Sequence, residues 1–294
     1  MIELRDLKIL SALARHRHFA RAAQECNMSQ PAFSMRIRNL EERLGLSLVR
    51  RGNRFQGLTA EGEMIVRRAR RMLDEARALE QDISSARGEV TGILKLGVVP
   101  TATAFAAKVV NSLYLSHPRL LTQLEVTNSH TIQQQLYDGS LDAGITYADS
   151  IGRDMVEVLP LYDESYMLLA PLHMVKDFDD TIAWAEIEHL PLSLLSPKMQ
   201  NRRIVDHILE EQGLRPRVMS EASGFMAALI MARGGTLATI VPRALIESLG
   251  VPEGTRALSL VDPETVKPIC LATLQRNPEL TSVRVLRATI DTLA

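Results

Sequence analysis

With 294 residues, 46% of them hydrophobic and 23% charged, the chain is long enough for two or three domains with ample cores, so no staple is needed. Its two cysteines, Cys26 and Cys270, lie far apart and offer no C-x-x-C motif, and no run approaches the ~20 apolar residues that span a bilayer. The net charge of −1 hides an asymmetry: residues 1–57 carry eleven Lys/Arg against five Asp/Glu, residues 58–87 six of each, and the remainder seventeen against twenty-four. A basic head on an acidic body directs the head, not the body, to a polyanion.

The N-terminal MIELRDLKIL is charged from its third residue and has no apolar signal core, so the expected location is the cytoplasm, with no membrane partner. Leu4, Leu7, Leu10, Leu13 and Ala14 mark a first amphipathic helix ending around His16 to His18. Phe19 to Leu44 reads as two short helices broken at Asn27-Met28. Ser29 is a good N-cap for the second, and Pro31 falls in its first turn, where a missing N–H is no loss. Phe33, Ile37, Leu40 and Leu44 share one face; Pro31, Ser34, Met35, Arg38 and Asn39 fall on the other or its shoulders. Such a helix can lie in the major groove of DNA, although this stretch alone also fits a solvated helical hairpin.

Gly45 stops that helix. Leu48-Val49 and Phe55 are short extended candidates on either side of the Gly52-Asn53 turn, around which Arg50, Arg51 and Arg54 are packed. That is a wing whose arginines can grip phosphate, fixing register and affinity without reading sequence. His16, His18 and Cys26 have poor spacing for a metal site. Thr59 then caps a long helix with Glu61 and Glu63 in its first turn. Ile65, Ala69, Met72, Ala76, Leu79 and Ile83 form a narrow seam of about two and a half heptads between charged flanks. A stripe so thin suits pairing with a second copy; docking on the chain's own body is the alternative. The helix ends at Ser84-Ser85, and Arg87-Gly88 begins a hinge.

Together these residues carry a resemblance. Ala22-Ala23, Ser29-Gln30-Pro31-Ala32, Ser34, Leu40-Glu41, Leu44-Gly45, Arg51 and Leu58-Thr59-Ala60-Glu61-Gly62 occur in the order of the winged helix-turn-helix signature of LysR-type transcriptional regulators. Ala20, Cys26 and Val49 depart from residues common in that family; they bear on packing and operator preference, not on DNA binding as such. The resemblance implies a multidomain protein: an all-α winged helix-turn-helix head at 1–58, a dimerisation linker helix and hinge at 59–88, and an α/β two-lobed effector domain at 89–294, similar to type 2 periplasmic binding proteins. Lobe 1 would hold 89–161 and 266–294, and lobe 2 would hold 162–265.

The body's own pattern agrees with this. Strands are expected at Ile93 to Val98, Leu121 to Val126 and 141–145, with helices opening at Thr101 to Thr103 and at Asn128 to Thr131, an alternation that argues an open parallel sheet. A second set follows, with strands near Ser165 to Ala170, Leu192 to Leu195 and Leu237 to Val241 and helices near Arg202 to Gln212 and Phe225 to Arg233. Pro268 to Leu274 reads as a late strand, followed by a last helix from Pro278.

In open α/β sheets ligands bind beyond the carboxyl ends of the strands. That places Pro100, Thr101, Thr103, Asn128, Ser129, Thr131, Ser196 and Ser223 toward the cleft, with Lys198 the nearest plausible cation and His130, Tyr147 and Phe225 shaping the pocket. Hydroxyls at helix starts suit a small anion, though each taken alone is explained as an N-cap. The resemblance likewise implies a small, often anionic effector and no other cofactor. No P-loop, G-x-S-x-G, H-E-x-x-H or Cys/His cluster supports an enzyme, and a ligand cleft argues against a purely architectural DNA binder.

The expectation is therefore a LysR-type regulator that binds double-stranded promoter DNA as a homodimer or homotetramer, and meets RNA polymerase if it activates. Gln30, Pro31, Ser34, Met35 and Arg38 are assigned to base edges. Arg36, Arg50, Arg51 and Arg54 are assigned to phosphates.

Overall fold

In the computed structural model, which describes residues 2–50, 55–275 and 279–293, the basic head is built from three helices and the base of a wing. Helix α1 (Leu4–His16) starts at a capping box in which the Glu3 amide donates to Asp6. It ends where Arg17 turns left-handed at φ 48°. Helix α2 (Phe19–Glu25) follows at once, and α3 (Gln30–Leu44) begins at Ser29, whose hydroxyl accepts from the Ala32 amide at 3.4 Å. Gly45, at φ 66°, closes α3 in a conformation that costs a residue with a Cβ.

The expected stripe is the core. Phe33, Ile37 and Leu40 are fully buried with Leu10, Leu13 and Leu48, each worth about 1.5–3 kcal/mol relative to exposure. Phe19 lies edge-on to both Phe33 and Phe55. The wing's base is one bridge, Val49 to Leu58, reinforced by the Arg50 amide donating to the Gly57 carbonyl at 2.9 Å. Arg51 and Arg54 lie outside the described residues.

Helix α4 (Ala60–Ala86) is capped by Thr59, whose hydroxyl accepts from the Gly62 amide at 2.9 Å and donates to the Ser47 carbonyl at 2.7 Å. Gly62 allows a close approach: a Cβ there would sit 2.1 Å from the Leu48 carbonyl oxygen. The expected seam divides. Ile65 packs on the head's core beside Val66, and Ala69 is buried, whereas Met72, Leu79 and Ile83 remain 54%, 61% and 48% exposed. The head takes the first turns of the stripe because α4 must dock on α1 before it can extend.

The second unit, residues 92–275 with 282–294, is α/β. Strand β1 (Gly92–Val98), helix α5 (Thr103–Ser116), β2 (Leu120–Val126), helix α6 (Ser129–Asp138) and β3 (Ala143–Tyr147) form a parallel array with β1 in the middle. The chain then enters β4 (Val156–Pro171), a strand of 16 residues. There follow β5 (Thr181–Ala183), β6 (Pro191–Leu195), α7 (Gln200–Glu211), β7 (Arg217–Ala222), α8 (Phe225–Arg233), β8 (Thr239–Pro242), α9 (Arg243–Leu249), β9 (Thr255–Val261), β10 (Val266–Leu274) and α10 (Thr281–Asp291).

The sheet is mixed, which corrects the parallel expectation. β10 runs antiparallel to both β3 and β4, β8 and β9 run antiparallel to β4, and β5 runs parallel to β9, while β6 and β7 form a separate parallel pair. The cause is the return of the chain: β10 re-enters the first lobe from the second and so meets its neighbours head to tail. β4 pairs with β10 as far as Ser165 and with β8 and β9 from Tyr166 on, so one unbroken strand serves both lobes. Arg287 of α10 holds Glu157 of β4 through two hydrogen bonds at 3.0 and 2.7 Å. Strands β5, β7 and β9 and helix α9 have no counterpart among the expected elements.

Candidate nucleic-acid interface and interlobe site

The outward face of α3 is as the spacing predicts. Gln30, Pro31 and Arg38 are exposed, Ser34 is half-buried, and Met35 is 62% exposed, unusual for a methionine on a packed helix. Arg50 is exposed at the wing's base. Beside it, Arg17, Arg67 and Arg70 join Arg50, together with Glu63, around a concave surface of ≈ 600 Å³. Arg17 and Arg67 escape a reading that looks for cations on α3 and the wing alone.

Arg36 is a correction. Its guanidinium donates to Asp6 at 3.1 Å and to Glu3 at 2.9 Å, and Arg43 donates to the other oxygen of the same Asp6. Burial opposes the charge on Asp6, but the Arg43, Glu3 and Arg36 bonds outweigh it and hold the carboxyl below its usual range. Asp6 therefore fixes α3 on α1 through two arginines on one face of α3, two turns apart, and Arg36 orients the recognition helix. Glu41 does the same for the wing, accepting from the Leu48 and Val49 amides at 2.8 and 3.1 Å.

The expected interlobe residues have different surroundings. Asn128 caps α6 by accepting from the Thr131 amide at 2.9 Å, and Thr103 donates to the Pro100 carbonyl at 2.8 Å, so these hydroxyl and amide groups are spent locally. Ser129 is buried with its hydroxyl unpartnered. Ser223 and Lys198 are exposed, Ser196 is half-buried, and Phe225 belongs to the second lobe's apolar core with Met167, Leu169 and Val241 instead of shaping a pocket. His130 meets Gln134 at 2.9 Å on the exposed side of α6.

Thr101 and Tyr147 are brought together, and with them a residue the sequence reading missed. The Thr101 hydroxyl lies 3.1 Å from the Tyr147 hydroxyl, which donates to Glu164 at 2.7 Å. Glu164 is 2% exposed. Desolvation pushes its carboxyl up to about 7, against hydrogen bonding that favours the charged form; burial also raises the phenols of Tyr147 and Tyr166. Tyr166 stands against Tyr147, Glu164 and Asn201. A signal was available: Glu164 and Tyr166 are buried while Asp163 is exposed and Ser165 half-buried, so an acid stands at an inward position just where β4 enters its buried stretch. Next to the cluster, a cavity of ≈ 430 Å³ is lined by Tyr147, Gln200, Arg203, Ile204, His207 and Lys267, among others.

Among the described residues no cluster of three or more His, Cys, Asp or Glu is placed to hold a metal, and no helix is long and apolar enough to cross a membrane. Cys26 packs against the head's core and Cys270 is fully buried in β10; burial raises both thiols, that of Cys270 to about 11.

A winged reading head, a long linker helix and a two-lobed body define a DNA-binding transcriptional regulator with an effector-binding domain. Comparison with known proteins agrees. Residues 4–63 match the bacterial regulatory helix-turn-helix protein, lysR family, and residues 87–294 match the LysR substrate binding domain. The chain belongs to the LysR family of transcriptional regulators. It is 30% identical over 281 residues to the hydrogen peroxide-inducible genes activator of Haemophilus influenzae, covering 92% of this chain and 90% of that one. It is likewise 30% identical over 279 residues to the DNA-binding transcriptional dual regulator OxyR of Escherichia coli, covering 92% and 88%. Among solved structures, a full-length OxyR variant from Pseudomonas aeruginosa superposes with a TM-score of 0.75 at 24% identity, over 99% of this chain and 95% of that one. Full-length CbnR in complex with its target DNA follows at a TM-score of 0.64 and 21% identity, over all of both chains.

Proposed function

We propose that this regulator reads promoter DNA as a dimer and changes its grip when a small polar effector occupies the site between the lobes. The observation that carries the reading is the outward face of α3, held in register with α1 by Asp6 and with the wing by Glu41. Gln30, Pro31, Ser34, Met35 and Arg38 meet base edges, and Arg50, Arg51 and Arg54 meet phosphates. Arg36 leaves the phosphate set because Glu3 and Asp6 already hold it. Dimers pair through the exposed Met72, Leu79 and Ile83 of α4, and pairs of dimers along the promoter make the tetramer. RNA polymerase is the further partner where the protein activates, and the cytoplasm is its place of action.

The relatives named for hydrogen peroxide raise the question of thiol sensing. A peroxide-reactive cysteine needs an accessible thiolate. Cys270 is buried with its thiol pushed up, and Cys26, half-buried against the head's core, has its thiol raised as well, so we infer a non-covalent effector. Its anionic character rests on the capped starts of α6 and the Pro100 turn, whereas Lys198, the cation expected to face it, is exposed and Glu164 stands in the site instead.

The DNA assignment is tested by two substitutions measured on specific and random duplexes. Arg38→Ala should cost about 1–3 kcal/mol on the cognate site and little on random DNA. Arg51→Ala should weaken both alike and reduce the salt slope by about one. A loss confined to the cognate duplex for Arg51→Ala would overturn the wing's role.

A further inference from the structure

Three polar atoms between the lobes lack partners. The second oxygen of Glu164, the hydroxyl of Tyr166 and the amide nitrogen of Asn201 are all buried without a hydrogen bond. Glu164, Tyr166 and Asn201 are 2%, 2% and 4% exposed. Native interiors satisfy nearly all such groups, and each exception calls for a missing partner. Here the exceptions are neighbours and come from three places: β4 supplies Glu164 and Tyr166, α7 of the second lobe supplies Asn201, and Thr101 and Tyr147 of the first lobe close the other side.

The unmet demand has a sign. Glu164 receives its one well-formed hydrogen bond from the Tyr147 hydroxyl at 2.7 Å; the Thr101 and Tyr166 hydroxyls stand close to the carboxyl, but neither is placed to bond its second oxygen well. A buried carboxyl with no ion pair within 4 Å and an incomplete set of donors ionises only at a cost, and neutral phenols compensate it only in part. An anion brought to this point would raise that cost further. A donor would complete it. The cavity next door gives such a ligand room: Tyr147 joins it to the cluster, its acids Asp149 and Glu211 balance Arg203 and Lys267, the last opposite Glu164 in the β4–β10 ladder, and α7 contributes its wall through Gln200 and Ile204, which flank Asn201 in sequence.

Resting on the effector reading above, we infer that the interlobe site selects a ligand presenting a hydrogen-bond-donating head, an ammonium or a hydroxyl, to Glu164, and not a carboxylate or inorganic anion. Tyr147 is the stand-in donor when no ligand is bound. The ligand's head takes the free Glu164 oxygen, its acceptor side takes the Asn201 amide, and its body lies against Ile204 and Ile208. Because Glu164 sits on the strand shared by both lobes while Asn201 and Thr101 belong to one lobe each, filling the cluster draws the lobes onto one ligand.

The test uses the full-length protein and thermal shift with two size-matched panels: ethanolamine, propanolamine and ethylene glycol against acetate, propionate, sulfate and phosphate. The amines and the diol should raise Tm, and E164Q should weaken their apparent affinity about tenfold or more, the range for a lost hydrogen bond to a charged group. N201A, which keeps the carboxylate, should weaken the amino alcohols less. Stabilisation by the carboxylates or inorganic anions that E164Q keeps or strengthens would overturn the inference and leave the effector reading standing. No shift with any member of either panel would overturn both.

Discussion

The head and the two-lobed body place a buried carboxylate to opposite purpose. In the head, Asp6 is matched by two guanidinium groups and a backbone amide, so its charge is settled and the helices around it are fixed. In the body, Glu164 is buried as deeply but has one phenolic donor and an oxygen left over. The first arrangement makes a module that presents the same face to DNA each time. The second, on the proposal above, makes a module whose lowest-energy state depends on what else is in the site. The contrast teaches that charge in an interior is informative through its partners, not through its presence.

Three experiments would break or sharpen that contrast. The largest effect is expected from Met72→Glu with Leu79→Glu, because charges in an apolar seam cost several kcal/mol when buried; dimers should dissociate in analytical ultracentrifugation. Unaltered sedimentation would mean that self-association does not use α4. Next comes the pH profile of Glu164. Its carboxyl is raised from 4.5 to about 7 in the fold, so the stability tied to its protonated form is fully present below pH ~4.5 and is lost as pH rises through about 7. Tyr147 and Tyr166, raised by burial, do not titrate in that window, and Thr101 and Asn201 carry no charge. Wild type should therefore lose on the order of 3 kcal/mol relative to Glu164→Gln between pH 5 and 8, read from Tm against pH. Parallel profiles would show that Glu164 is charged and compensated throughout.

The smallest of the three is Asp6→Asn. It removes the counter-charge of Arg43 and one of the two acids that hold Arg36, which keeps Glu3, and both guanidinium groups reach solvent, so the head should lose only ~2 kcal/mol in denaturant unfolding. DNA affinity should fall for cognate and random duplexes together as α3 loosens on α1. Its profile should also differ from that of Glu164 in sign: the Asp6 carboxyl is held below its usual range, so its stabilisation is present above that range and fades as pH falls.

Much of this was legible in the chain because the signals are local. Ser29, Pro31, Gly45 and Thr59 act within one turn of where they stand, and the Phe33–Ile37–Leu40 stripe needs only helical periodicity to be read. What was not legible depends on distance along the chain. Arg36 looked free until Asp6, thirty residues earlier, closed on it. Ile65 and Ala69 looked like a dimer seam until the head covered them. In the body, strand direction is decided by the chain's return through β10, which no hydrophobic pattern encodes, and β5 at three residues is too short to show a period. Thr101 and Tyr147 were chosen for their place at strand ends and proved to be neighbours, whereas Phe225, chosen for the same reason, went to a core. Glu164 was the readable omission: its parity on β4 marked it as buried, and only its partners were hidden.

The contact at Gly62 has a mechanical consequence. With no Cβ between α4 and the Leu48 carbonyl, the two backbones meet without a compressible layer, and Thr59 bolts the same corner through Ser47. A tilt of α4 imposed at the far end of its 27 residues is thus delivered to the wing as torque instead of being absorbed as side-chain rearrangement. Within the head, the linker helix is a lever with its fulcrum at the base of the wing.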